Sequence, residues 1–262
     1  MNALNVQKIT SKVPKLLNQV ESLDDLFTIY ELDTELQAAH RIQHFSKDCE
    51  TKDIFTRHWM LWVGHLSPGS VYLKAKGQWV ELSGPCALYI PPFSLLQWKI
   101  KSGIYEWVGL SWESELKSLP KFAFVSPWSF NCKINSLSDL NRIFQAIVDR
   151  KEVCHEDFPS AVASKVKKYL DLNYASPLRL VDISTNLKIP HSTISHYFKK
   201  SFGLSPVEYR KRLRSAESLR LLIGGKQSPN QVIIKTGFED YSQFYRSIRA
   251  TYGSSPNKYS TK

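Results

Sequence analysis

The chain has 262 residues, enough for two domains that each bury a core of their own. Its net charge of +11 is not spread evenly: residues 157–262 hold 18 Lys and Arg against 7 Asp and Glu, whereas residues 1–156 hold 17 of each. A basic half beside a neutral one is the footprint of a polyanion binder coupled to a second module, the alternative being a solvated basic surface that aids solubility.

Residues 1–40 carry little pattern; 13–20 reads as a short helix and 26–32 as a strand. Residues 41–130 are strand-rich. The segments 57–63, 70–74, 78–82 and 86–90 are short and rich in aromatic and β-branched residues. Pro68-Gly69, Lys76-Gly77, Ser83-Gly84-Pro85 and Pro91-Pro92 separate them. Two more strands at 95–100 and 105–111 complete a pattern that predicts a barrel or a double-sheet jelly roll. All seven tryptophans, at 59, 62, 79, 98, 107, 112 and 128, fall here. They either line a pocket for a small effector or fill the core, and the residues alone leave both readings open. Arg57, His58, His65 and Gln97 are the polar effector-pocket candidates, provided that they point inward.

Leu137, Leu140, Phe144 and Ile147 recur at steps of three and four, with Ile143 beside them, so 138–151 is an amphipathic helix. Its stripe either seats a second copy of the chain or packs on its own barrel. Residues 152–159 are polar and break the pattern, which makes them the linker. The expected division is thus 1–135, a helix and linker at 136–158, and a second domain at 159–262.

That second domain contains one pattern twice. Gly203, Pro206 and Tyr209 recur as Gly253, Pro256 and Tyr259, each 50 positions further on, with Lys199 matching Arg249 and Phe202 matching Tyr252. Each copy reads as the back end of a helix-turn-helix. In the first, a short helix at 180–187 offers Val181, Ile183 and Leu187 to a core. A turn at 188–190 follows, and then a helix from His191 to the stop at Gly203. In the second, the short helix spans 230–236, Gly237-Phe238 turns, and Asp240 caps the helix that starts at Tyr241. A long helix at 206–223 joins the units. In such a motif the second helix enters the major groove and its early, outward positions face bases, which in the first unit means Ser192, Ser195 and His196.

The motifs Phe-Lys-Lys-x-x-Gly-x-Ser-Pro from Phe198, Gly237-Phe-Glu-Asp-Tyr-Ser-Gln-Phe, and Tyr-Gly-x-Ser-Pro-x-x-Tyr from Tyr252 resemble the DNA-binding domain of the AraC family of bacterial transcription regulators. The strand and turn order ahead of them is similar to the cupin sensor domain that many members carry. The resemblance implies an α+β chain: an N-terminal cupin-like β-barrel or jelly roll, then an all-α domain with two helix-turn-helix motifs. By the same resemblance, Tyr241, Ser242, Tyr245 and Arg246 form the second base-reading set. Arg246 leads it, because a guanidinium can bond guanine O6 and N7 together, although a phosphate contact is the other reading. Lys199, Lys200 and Arg249 sit further along the helices, where side chains reach phosphates. Two departures stand out. Lys188 occupies a turn position where the family usually has glycine, at about 1 kcal/mol if the left-handed conformation is kept. Ile233 stands where the family prefers alanine.

The implied function is a sequence-specific transcription regulator, an activator in the family's usual role, that works on double-stranded DNA with RNA polymerase, as a homodimer, under a small-molecule effector. A constitutive binder or repressor whose barrel only dimerises is the alternative. A cupin enzyme is a third reading, but His44, His58 and His65 form no His-x-His pair, and Gln97 stands where such enzymes often place a later histidine. No catalytic residue, cofactor or metal is expected. Cys49, Cys86, Cys132 and Cys154 make no C-x-x-C pair, which fits a reducing cytoplasm. No stretch approaches the roughly 20 apolar residues of a membrane span, and the first 15 positions lack a signal peptide's apolar core.

Overall fold

Alternating burial builds the first half of the chain. The computed structural model describes residues 4–5, 26–32, 34–75, 77–116, 119–120, 122–128, 133–134, 136–148, 153–155, 159–223, 227–252 and 255–259. The helix expected at 13–20 lies outside them, as do Gly224 and Gly225, which follow the long helix expected at 206–223. The chain divides into a sheet unit, Met1–Asp157, and a helical unit, Phe158–Lys262.

In the sheet unit, β1 (Leu4–Asn5) pairs with β10 (Lys133–Ile134). The remaining strands are β2 (Leu26–Glu31), β3 (Leu36–Phe45), β4 (Cys49–Ile54), β5 (Trp59–Ala75), β6 (Gln78–Ile90), β7 (Leu95–Ile100), β8 (Gly103–Trp112), β9 (Ala123–Pro127) and β11 (Val153–His155). They form one antiparallel sheet in the order β11-β9-β6-β5-β8-β3-β2, and β7 joins β4 to the far end of β5. The strands expected at 57–63 and 70–74 are one strand, β5, and those at 78–82 and 86–90 are one strand, β6. Gly69 and Gly84, both at positive φ, sit where the β5–β6 register shifts, so a bulge carries the ladder through what reads locally as a turn.

Two cores flank this sheet. One gathers Leu36, Leu61, Tyr89, Leu110, Trp112 and Phe124; the other gathers Leu73, Leu88, Ile90, Leu96, Trp98 and Trp107. Trp62 lies against Gly109, its partner across the ladder, and stacks on Trp98 with ring centroids 6.3 Å apart. Trp107 covers Gly64 in the same way, 3.1 Å from where a Cβ would stand. Trp98, Trp107, Trp112 and Trp128 are buried, so these four fill core.

Helix α1 (Leu137–Val148) corrects the expected dimer seam. Leu140 and Phe144 are fully buried in the first core, Ile143 is buried beside them, and Leu137 packs half-buried against it. The Phe144 ring meets Tyr89 edge-on at 5.4 Å and Trp112 at 5.5 Å. The side chain of Ile147 lies outside the described residues. An apolar stripe closes the nearest open sheet face first, because that burial needs no second chain. The expected linker is also shorter than read: β11 within it pairs with β9, Val153 opposite Val125.

The described residues of the helical unit form helices: α2 (Ala161–Asn173), α3 (Leu180–Leu187), α4 (His191–Phe202), α5 (Pro206–Ile223), α6 (Pro229–Thr236), α7 (Tyr241–Tyr252) and α8 (Pro256–Tyr259). Ser160 caps α2 by accepting from the Ala163 N–H at 3.2 Å. Ile183 is buried, but Val181 is 59% exposed. Residues two apart on a helix cannot share a face, so the expectation that both serve the core fails. Arg214, Ser215, Glu217 and Ser218 of α5 are buried as well as Tyr209 and Leu213, so α5 is enclosed on more than its apolar stripe. Among the described residues no helix is long and apolar enough to cross a membrane.

Candidate nucleic-acid interface

The first unit turns sharply between α3 and α4. Lys188 takes the left-handed conformation (φ 54°, ψ 43°), so a lysine carries the strain usually left to glycine. The Ser184 hydroxyl donates to the Ile189 carbonyl at 2.6 Å and ties the turn down. Helix α4 then buries Ile194, Phe198 and Phe202, one residue per turn, and ends at Gly203 (φ 65°). This apolar stripe decides what faces outward. Ser192, His196, Lys199 and Lys200 are exposed, and Ser195 is half-buried at the edge of that face.

The second unit repeats the construction with better local signals. Ser228 and Gln231 form a reciprocal capping box on α6, and Gly237 makes the left-handed turn at φ 76°. Asp240 caps α7 by accepting from the Gln243 N–H at 2.6 Å. Helix α7 buries Phe244, Ser247 and Ile248 against a core that includes Val232, Ile233 and Phe238. Tyr241, Ser242, Arg246 and Arg249 are exposed on the other side, and Tyr245 is half-buried with its ring 6.3 Å from that of Tyr241. The Arg246 Nε donates to the Ser242 carbonyl at 3.3 Å, which lays the guanidinium along the outer surface of α7.

Each unit therefore offers donors and acceptors of several kinds, with cations one turn further along, on a face backed by apolar packing. Such a face can meet base edges with its hydroxyl, imidazole and guanidinium groups and phosphates with its ammonium groups. His191, the first residue of α4, is exposed beside Ser192 and joins that face. The sequence reading passed over it, although the turn ending at Pro190 already placed it at the helix start.

The four effector candidates do not converge. The Arg57 guanidinium is exposed, 3.4 Å from Glu113, and His58 is buried with its Nε2 2.9 Å from the same carboxylate. His65 is exposed. Gln97 lies between buried Leu96 and Trp98, so it points to the opposite face, where it donates to Glu50 at 2.5 Å. Neither His65 nor Gln97 faces the interior, which corrects the expectation for both. Among the described residues no three His, Cys, Asp or Glu side chains gather in a way that could hold a metal ion.

Residues 183–262 match a helix-turn-helix domain family. Among curated proteins, the chain is similar to the Msm operon regulatory protein of Streptococcus mutans, at 27% identity over 150 residues. That match spans 56% of this chain but only 54% of the relative's own length. It is also similar to the lactose operon transcription activator of Staphylococcus xylosus, at 22% identity over 224 residues, 74% of this chain and 76% of that one. Among solved structures, ToxT of Vibrio cholerae covers 86% of this chain with 98% of its own length, at a TM-score of 0.56 and 15% identity. The same protein with an unsaturated fatty acid bound gives a TM-score of 0.55 at 15% identity, over 88% of this chain and 96% of that one. At such identity the likeness establishes the fold: an antiparallel sheet unit followed by a helical one. The match over 183–262 takes in both helix-turn-helix units, so this part of the chain is an AraC-type helix-turn-helix domain.

Proposed function

We propose that the chain activates transcription by reading two half-sites on one face of a DNA duplex, through α4 in one and α7 in the other. The observation that carries this is the pair of exposed polar helix faces in the half of the chain that holds all the excess positive charge. Activation is supported by the lactose operon relative, which is named as a transcription activator. It brings RNA polymerase in as the partner. The sheet unit is the sensor in this reading. ToxT has been solved with a fatty acid bound, which supports a small effector there. Pairing of two chains to a homodimer would use a surface other than Leu140 and Phe144, whose side chains are spent inside the sheet unit.

Arg246 reads a base. Arg246→Ala should cost about 1–3 kcal/mol at one base pair and relax the preference there, leaving other positions alone. Binding of a panel of single-base variants checks this. Equal weakening on every duplex makes Arg246 a phosphate contact.

Lys199 and Arg249 contact phosphates. The Lys199→Ala, Arg249→Ala double variant should lose affinity on all sequences alike. It should also lower the slope of log affinity against log salt by about 2, since each phosphate contact contributes about 0.9. A salt titration reads this directly, and an unchanged slope would show the two cations to be merely solvated.

A further inference from the structure

We infer that the segment 174–178 locks the two reading helices at one separation, with Arg214 and Gly237 as the positioning residues. The inference rests on the DNA-reading role of α4 and α7. Helix α2 ends at Asn173, and the chain turns back through Tyr174, Ala175 and Ser176 before α3, leaving carbonyls that no helix satisfies. Helix α5 supplies their donors. Arg214 Nε donates to the Tyr174 carbonyl at 2.7 Å and its Nη2 to the Ser176 carbonyl at 2.9 Å. One turn earlier, Arg210 donates to the Leu178 carbonyl. Arg214 is 7% exposed, and burial, with Arg210 beside it, lowers its pKa to about 10, so it is still a cation at neutral pH.

The second unit closes on the same loop from the other side. A Cβ at Gly237 would stand 1.9 Å from the Ala175 oxygen, 2.6 Å from its carbonyl carbon and 2.8 Å from its Cα. The turn that leads into α7 is therefore in backbone contact with the loop that leads into the first unit. Glu239, two residues on, supports the charge of both Arg210 and Arg214 electrostatically. Hydroxyl pairs tie α5 to the same second unit: Ser218 to Thr236 at 3.0 Å and Ser215 to Ser247 at 2.7 Å. On the first unit's side, the rings of Phe198 and Tyr209 meet at 5.4 Å. From Phe198 of α4 through α5 to Gly237 ahead of α7 each step is a packed or hydrogen-bonded contact, so the separation of the two helices is a fixed length. A fixed length turns half-site spacing into affinity, because both helices engage only where the duplex presents both sites at once.

The test begins with the full chain selecting duplexes from a random pool. Two half-sites at one separation are the expected yield. The selected duplex is then remade with the separation changed by one or two base pairs. A change of two base pairs turns the second half-site by about 70° and moves it about 7 Å, so affinity should fall at least about tenfold, toward that of a duplex with one half-site. Arg214→Lys keeps the charge but loses the planar fork. It and Gly237→Ala should flatten this profile, weakening the fitted duplex while leaving affinity for one half-site unchanged. A parent that binds shifted separations as tightly as the fitted one overturns the lock, and needs no variant to do so. Folded variants that keep the parent's sharp profile overturn the assignment to Arg214 and Gly237. A parent that enriches no common sequence overturns the DNA-reading role instead.

Discussion

Phe144→Asp should unfold the sheet unit and leave the helical unit standing. Phe144 is 1% exposed and wedged between the rings of Tyr89 and Trp112. Truncating a core phenylalanine costs about 3–5 kcal/mol, and an unpaired charge in its place adds several more, against a whole-domain margin of about 5–15 kcal/mol. The readout is clean because all seven tryptophans lie in the sheet unit and none in the helical one. Tryptophan fluorescence should lose its cooperative transition, while the helical signal at far-ultraviolet wavelengths and DNA binding persist. If the variant stays folded by tryptophan fluorescence and instead changes from dimer to monomer in sedimentation, the stripe on α1 is an interface after all.

The sequence showed most of what is local in this chain. Gly203, Gly237 and Asp240 declare the ends of α4, α6 and α7 because caps and left-handed turns act within a few residues of their own position. The repeat is visible for the same reason. Strand continuity through Gly69 and Gly84 was not, since a bulge and a turn begin with the same residues and differ in the partner strand. Gln97 was legible and misread: flanked by Leu96 and Trp98 in a strand, it had to face away from them. The buried polar residues of α5 are a different case. Arg214 answers carbonyls 40 and 38 positions away and Ser215 a hydroxyl 32 positions away, and no window of sequence shows a partner at that range. That is why the outward faces of α4 and α7 could be named from sequence and the lock between them could not.

Tyr209→Phe should destabilise the helical unit in a way that depends on pH. Asp171 is buried, with Lys167 Nζ 2.7 Å from one carboxylate oxygen and the Tyr209 hydroxyl donating to the other at 2.5 Å. Burial raises the Asp171 pKa above its ordinary value, and the Lys167 charge and the Tyr209 hydrogen bond only partly offset it. Burial and the neighbouring carboxylate push the Tyr209 hydroxyl well above its own ordinary value, so it remains a proton donor at neutral pH. A hydrogen bond to a charged group contributes about 1.5–3 kcal/mol, and its loss leaves a buried carboxylate with one partner fewer. The sign follows from the raised pKa. The contribution of Asp171 to stability is fully present below its unfolded pKa and is lost as pH rises through its folded pKa. Removing the hydroxyl raises that folded pKa further, so the deficit of Tyr209→Phe against the parent should be small in acid and grow toward neutral pH. Urea unfolding followed by the helical signal, at several pH values from acidic to neutral, measures it. Asp171→Asn, which has no charge to lose, should remove the pH dependence of the deficit. A deficit of equal size at every pH would mean that the phenol contributes packing alone and that Asp171 does not need its proton donor.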